Sequence, residues 1–203
     1  TDKVFVVASK SFCEPDRMVA ASKARNDWIL YLDADEVVTP SLRLEIEALL
    51  NGSPAFNSYY VARKNIFLGK WIRGSGWYPA FVLRLFKKNF VNFPTEIHAD
   101  ITPRGEAGTL KEPLIHHTCE DLKEYLQKTK RYASILAQQA YEKGERVTLL
   151  NFIYRLGILP VLYFFYKWIF KGGVVDGFQG IAIAFLTATT IFSMNVKLWR
   201  MGR

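Results

Sequence analysis

Residues 26–36, NDWILYLDADE, constrain this chain more than any other stretch. The apolar run 28–32 is nearly continuous, as expected of a strand buried on both faces of a parallel sheet, and it stops abruptly at Asp33, Asp35 and Glu36. If the extended backbone continues to Asp35, its period of two points both aspartates one way and Ala34 the other. Two oxygen ligands then converge at the carboxyl end of a strand, the edge at which open α/β sheets bind ligands. The competing role for these acids is to cap the following helix, since Thr39-Pro40-Ser41 before 42–50 has the form of a helix start.

Other elements follow in order. Residues 3–9 read as a buried strand, 15–25 as a helix, Asn51-Gly52-Ser53-Pro54 as a break, and 58–67 as a strand with a turn at Leu68-Gly69-Lys70. The loop 71–79 holds two glycines and two tryptophans. Trp77 and Trp71 either stack on the apolar face of a sugar or base or pack against the sheet. Strand 81–86 carries one charge, Arg84, inside an apolar run, and burial requires it to pair with a carboxylate or a phosphate. In 93–101, Glu96, His98 and Asp100 alternate, so an extended backbone turns all three to one side. Residues 109–115 read as a short strand ending in His116-His117, either of which could add a third ligand to the aspartates. Apolar residues at three- and four-residue spacing make 120–143 a long helix, with Lys128 and Arg131 among its basic positions.

A chain of 203 residues with 50% hydrophobic content suits one domain and an appendage. The net charge of +8 and pI near 9.4 fit a polyanionic partner. Nucleic acid is not expected, because no recognisable binding motif is present. Cys13 and Cys119 form neither a ligand spacing nor a disulfide framework and read as reduced thiols. From Val147 the composition shifts. Run 149–170 is aromatic-rich and interrupted by Arg155, Gly157, Pro160 and Lys167; run 181–194 is apolar but short for a membrane span. Both suit helices lying on an anionic membrane surface, or alternatively packing on the main domain or on another subunit.

WILYLDADE with its threonine-proline turn resembles the D-x-D segment of inverting family 2 glycosyltransferases, most strongly the bacterial branch that builds lipopolysaccharide core and related envelope glycans. GWYPAFVLRLF is similar to that family's W-x-P…RLF stretch, FPTEIHADI to its H-A-D segment, HHTCEDLKEYLQKTKRYASILAQQA to its K…RYA helix, and GGVVDGFQGIAIA to its F-x-D-G-x-x-G ending. The resemblance implies an α/β, GT-A-like nucleotide-sugar-binding sheet over 1–146 and a helical membrane-associating tail over 147–203. It implies that Asp33 and Asp35 hold a divalent metal, Mg or Mn, and the donor diphosphate. Arg84, Trp77, Lys128 and Arg131 become candidate nucleotide-sugar contacts, and Asp100 the catalytic base, with His98 as its alternative or orienting partner.

The partners implied are a nucleotide-sugar donor, a lipid-linked glycan acceptor and an anionic membrane surface, at the cytoplasmic face of a bacterial inner membrane. Three departures accompany the likeness. Ala8 and Ala80 stand where the family carries acids, and nothing before Thr1 supplies the family's earlier strand and helix. The expectation is an amino-terminally truncated transferase; a non-catalytic, transferase-like subunit is the alternative.

Overall fold

The computed structural model describes residues 14–93, 100–119 and 121–202. It is an α/β structure with a mixed sheet, and the chain divides into two compact units, each built from more than one segment: 1–63 with 80–116, and 64–79 with 117–203. A cut at residue 146 falls inside the second.

In the first unit, helix α1 (Glu14–Lys23) leads into strand β1 (Trp28–Leu30). The short strand β2 (Glu36–Val37) precedes helix α2 (Pro40–Asn51), whose start is made by Thr39: its Oγ1 accepts from Leu42 N at 3.1 Å, and Pro40 supplies a preset first turn. Leu42 and Ile46, one turn apart, are buried against Tyr59, Val61, Leu85, Leu110 and Leu114. Strand β3 (Ser58–Phe67) carries Tyr59 and Val61, and β5 (Ala80–Lys87), which follows the two-residue β4 (Lys70–Trp71) in the chain, carries Leu85. Later come β6 (Val91–Asn92) paired with β7 (Thr102–Pro103), then β8 (Gly108–Thr109) and β9 (Leu114–Cys119).

The sheet order is β1-β5-β3-β9-β2, with β8 pairing parallel to β3. Strand β1 runs antiparallel to β5, and Leu30 is 37% exposed, so the expectation of a parallel strand buried on both faces does not hold. The apolar run resembled a buried strand because Ile29 and Tyr31 pack on the cluster of Leu83, Phe86, Val91 and Ile101 while Trp28 packs on the α2 cluster. The register of β5 against β3 steps from Tyr59↔Leu85 to Tyr60↔Leu83, leaving Arg84 as the extra residue of a β-bulge. The strand expected over 109–115 is split, and His116 and His117 lie inside β9 instead of ending it.

In the second unit, the end of β3 turns back through Leu68 and Gly69, both at positive φ, into β4. Helix α3 (Leu122–Glu142) buries Ala133, Ala137 and Ala140, and the latter two pack with Leu198. A helical stretch follows in which two π-type turns, Tyr154–Ile158 and Tyr166–Phe170, flank α4 (Leu159–Phe165). Pro160 has no N–H to give the ladder, consistent with the widened turn before it. Helix α5 (Phe178–Met201) spans 24 residues and is long and apolar enough to cross a membrane. In the fold it is a packing spine: Ile183 and Leu186 are buried with Phe67, Ile72 and Cys119, and Lys197 Nζ donates to Lys130 O of α3.

Asp176, 1% exposed, ties this unit together. Its carboxylate oxygens accept from Arg73 N (2.9 Å) and Gly74 N (2.7 Å), and its carbonyl accepts from Lys70 Nζ (2.7 Å). The approach is so close that a Cβ on Gly74 would sit 2.0 Å from Gly172 O, and one on Gly180 would sit 1.8 Å from Gly173 O. Replacing Asp176 by Ala strands the buried Gly74 N–H and the part-buried Arg73 N–H and should cost about 2–4 kcal/mol in urea unfolding, with Asp176→Asn, which keeps one acceptor, costing less.

Candidate functional site

The acidic stretch after β1 is a turn, with Glu36 N donating to Asp33 O at 3.1 Å. The turn sends its three carboxylates to different partners. Asp33 Oδ2 accepts from Arg84 at 2.5 Å and its Oδ1 from the Tyr31 hydroxyl at 2.9 Å. Glu36, whose side chain is wholly buried, takes the same Arg84 guanidinium nitrogen at 2.7 Å, Arg63 at 3.6 Å and the Asp33 backbone N–H at 3.1 Å. Asp35, half exposed, faces His116, with Oδ2 to Nε2 at 3.4 Å. The two aspartates therefore do not project together as an extended strand would have them.

The bulge in β5 explains how this comes about. An extra residue in one strand re-aims the side chain at that position. Arg84 O accepts from Tyr31 N at 2.8 Å, and the guanidinium lies over the Tyr31 ring, 5.0 Å from its centroid. One buried cation is thereby shared between two carboxylates, with Arg63 as the second counter-charge to Glu36. Across the cluster three acids meet two guanidinium groups, and Asp35 forms an ion pair with neither of them among the described residues.

His116 is held mostly neutral by its surroundings. Burial lowers its pKa below the ordinary 6.5 and Arg63 adds to that, with Asp35 and Glu36 pulling the other way. A neutral imidazole is the ligating form. Asp35 Oδ2 and His116 Nε2, 3.4 Å apart, are an oxygen and a nitrogen donor of the types that Mg and Mn accept. No group of three or more ligating side chains occurs among the described residues. A divalent ion here would be held by Asp35 and His116, with the rest of its shell left to other ligands, the partial coordination common for Mg and Mn. Asp33 is committed to Arg84 and Tyr31.

The remaining candidates fall in both units. Asp100 is exposed, next to the buried Ile101 in the first unit; His98 lies outside the described residues. Trp77 belongs to the second unit, where its ring meets Phe67 edge-on at 5.7 Å and its carbonyl accepts from Asn65 Nδ2. That contact is the packing role left open for it above. Lys128 and Arg131 occupy exposed positions on α3. Sequence reasoning missed Glu36 as the buried partner of Arg84, and Arg63 altogether. The pairing of Arg84 with a carboxylate was foreseeable; which carboxylate was not.

Two outcomes follow. Arg84→Met leaves buried Glu36 without its closest counter-charge and should lower unfolding stability by about 3–5 kcal/mol, with Arg84→Met/Glu36→Gln recovering part of it. Because the folded pKa of His116 is depressed, its contribution is complete above pH ~6.5 and is lost as pH falls below that value. In chelator-treated protein, Tm should drop more between pH 7 and 5 for the wild type than for His116→Asn.

No family profile matches the chain, and no solved structure matches it significantly. Among curated proteins it is 27% identical over 194 residues to the lipopolysaccharide core biosynthesis glycosyltransferase LpsC of Rhizobium meliloti (strain 1021), covering 88% of this chain and 68% of that protein. It is 25% identical over 206 residues to an uncharacterized glycosyltransferase of Rickettsia felis, covering 95% of this chain and 68% of that one. A third relative, the uncharacterized glycosyltransferase RC0292 of Rickettsia conorii, is 23% identical over the same length. The chain is thus similar along most of its length to proteins named as glycosyltransferases, one of them in lipopolysaccharide core biosynthesis.

Proposed function

We propose that this chain is an inverting, metal-dependent glycosyltransferase of GT-A-like design that moves a sugar from a nucleotide-sugar to a lipid-linked envelope glycan. The observation that carries this reading is the acidic turn after β1. There Arg84 fixes the Asp33 and Glu36 side while Asp35 stands half exposed beside a neutral His116. The relatives' names supply the reaction class. A bound Mg or Mn ion would offset the charge of the departing diphosphate. Asp35 and His116 hold it, Asp33 and Glu36 keep the turn in place, and Asp100 accepts the proton of the attacking acceptor hydroxyl, with His98 as its partner. Asp100 is solvent-exposed, which suits a base that must reach an incoming acceptor. The protein works peripherally at the cytoplasmic face of a bacterial inner membrane, where nucleotide-sugars and lipid-linked acceptors meet.

A second reading, a non-catalytic transferase-like subunit, is favoured by one observation: Asp33 and Glu36 are already neutralised by arginine. Calorimetry with a panel of nucleotide-sugars, with and without Mn, separates the two. The transferase reading expects metal-dependent binding that Asp35→Asn weakens by at least about tenfold, and turnover that Asp100→Asn lowers about 10²–10⁴-fold at unchanged donor affinity. Metal-independent binding, or activity that survives Asp35→Asn, overturns it.

A further inference from the structure

The second unit exposes apolar side chains where a water-facing surface carries charge. Along the π-turn and α4 stretch and the loop after it, Tyr163, Tyr166, Phe170, Val174, Val175 and Phe178 are all exposed, with Phe170 at 79% and Phe178 at 73%. Soluble surfaces rarely show large aromatics at such density without a partner. The charges that accompany them have one sign. Between Val147 and Arg203 the single acid is Asp176, and it is buried with both carboxylate oxygens accepting backbone N–H groups. The segment 64–79 has no acid either.

The clasp built by Asp176 gathers cations beside this apolar stretch. Lys70 Nζ donates to Asp176 O and Lys167 Nζ to Ser75 O at 3.0 Å, leaving each ammonium two further donors. Lys171 lies over the Tyr166 ring, 5.5 Å from its centroid, and exposed Arg73 stacks on Trp71. Burial lowers the pKa of Lys167, with Tyr166 pulling the other way and the neighbouring Lys171 lowering it again.

The geometry points to an interfacial docking site for anionic phospholipid, formed by the exposed aromatics between Tyr163 and Phe178 together with Lys70, Arg73, Lys167 and Lys171. The aromatics enter the headgroup region, and the cations meet lipid phosphates at the same level. This places membrane contact on the α4 stretch and the clasped loop. Helix α5 buries Ile183, Leu186 and Leu198 in its own unit and brings its first residue, Phe178, to the docking stretch. The inference rests on the membrane part of the reading above, but its test involves no sugar. Nucleotide-sugar binding measured without lipid stands or falls separately.

Flotation of the full chain with phosphatidylcholine vesicles, with and without phosphatidylglycerol, tests it. Binding should require phosphatidylglycerol and weaken with salt. Each lysine near an anionic surface contributes roughly fivefold, so Lys167→Gln/Lys171→Gln should bind about 30-fold more weakly. Arg43→Gln/Lys111→Gln, the same charge change on the first unit, should bind as wild type. Phe170→Ser/Phe178→Ser changes two exposed residues and should also release the protein, with circular dichroism confirming that each variant is folded. Equal binding to neutral vesicles, equal loss in the control variant, displacement by millimolar inorganic phosphate, or a stable dimer that hides Phe170 and Phe178 would each overturn the proposal.

Discussion

The first unit depends on one buried guanidinium. Arg84 sits in a strand whose neighbours Leu83, Leu85 and Phe86 are all buried, a position that tolerates a cation only if its charge is met in place. The bulge at Arg84 turns the side chain toward Asp33 and Glu36, and those acids in turn close the polypeptide into the turn after β1. Register, turn and ion pairs are therefore one arrangement. With two acids matched to two arginines, the remaining carboxylate, Asp35, is left facing His116.

Much of the secondary structure was legible in the residues. The threonine-proline start of α2, the ten-residue strand β3 and the alanine-lined face of α3 each follow a local rule of capping or periodicity. What could not be read was direction and register. The run 28–32 looks the same in a parallel strand and in one paired antiparallel, since both bury apolar residues on two clusters. A bulge has no signature in AFVLRLF, and without it the alternation rule assigns Arg84 the wrong neighbours.

The candidate site was half legible for the same reason. An acidic string after an apolar strand announces charge at a sheet edge, but period-two geometry applies only while the backbone stays extended, and the strand ends at Leu30 with a turn at Ala34-Asp35. Asp33 and Asp35 part company at that turn. Asp176 shows the opposite case: its sequence neighbourhood looked like the end of a pattern, whereas its contacts reach back about a hundred residues, to Arg73 and Gly74. Long-range partners of a single buried acid leave no local trace.

The interleaving of the chain bears on how such a protein can be shortened or fused. Phe67 and Ile72, from the middle of the sequence, share a core with Ile183 and Leu186 near its end. A protein trimmed at residue 146 would bare those two side chains to water and remove the acceptor that fixes the loop after β4. The carboxyl-terminal segment is thus part of the interior of the second unit. Swapping it between relatives, or replacing it with a soluble tag, means rebuilding an interior.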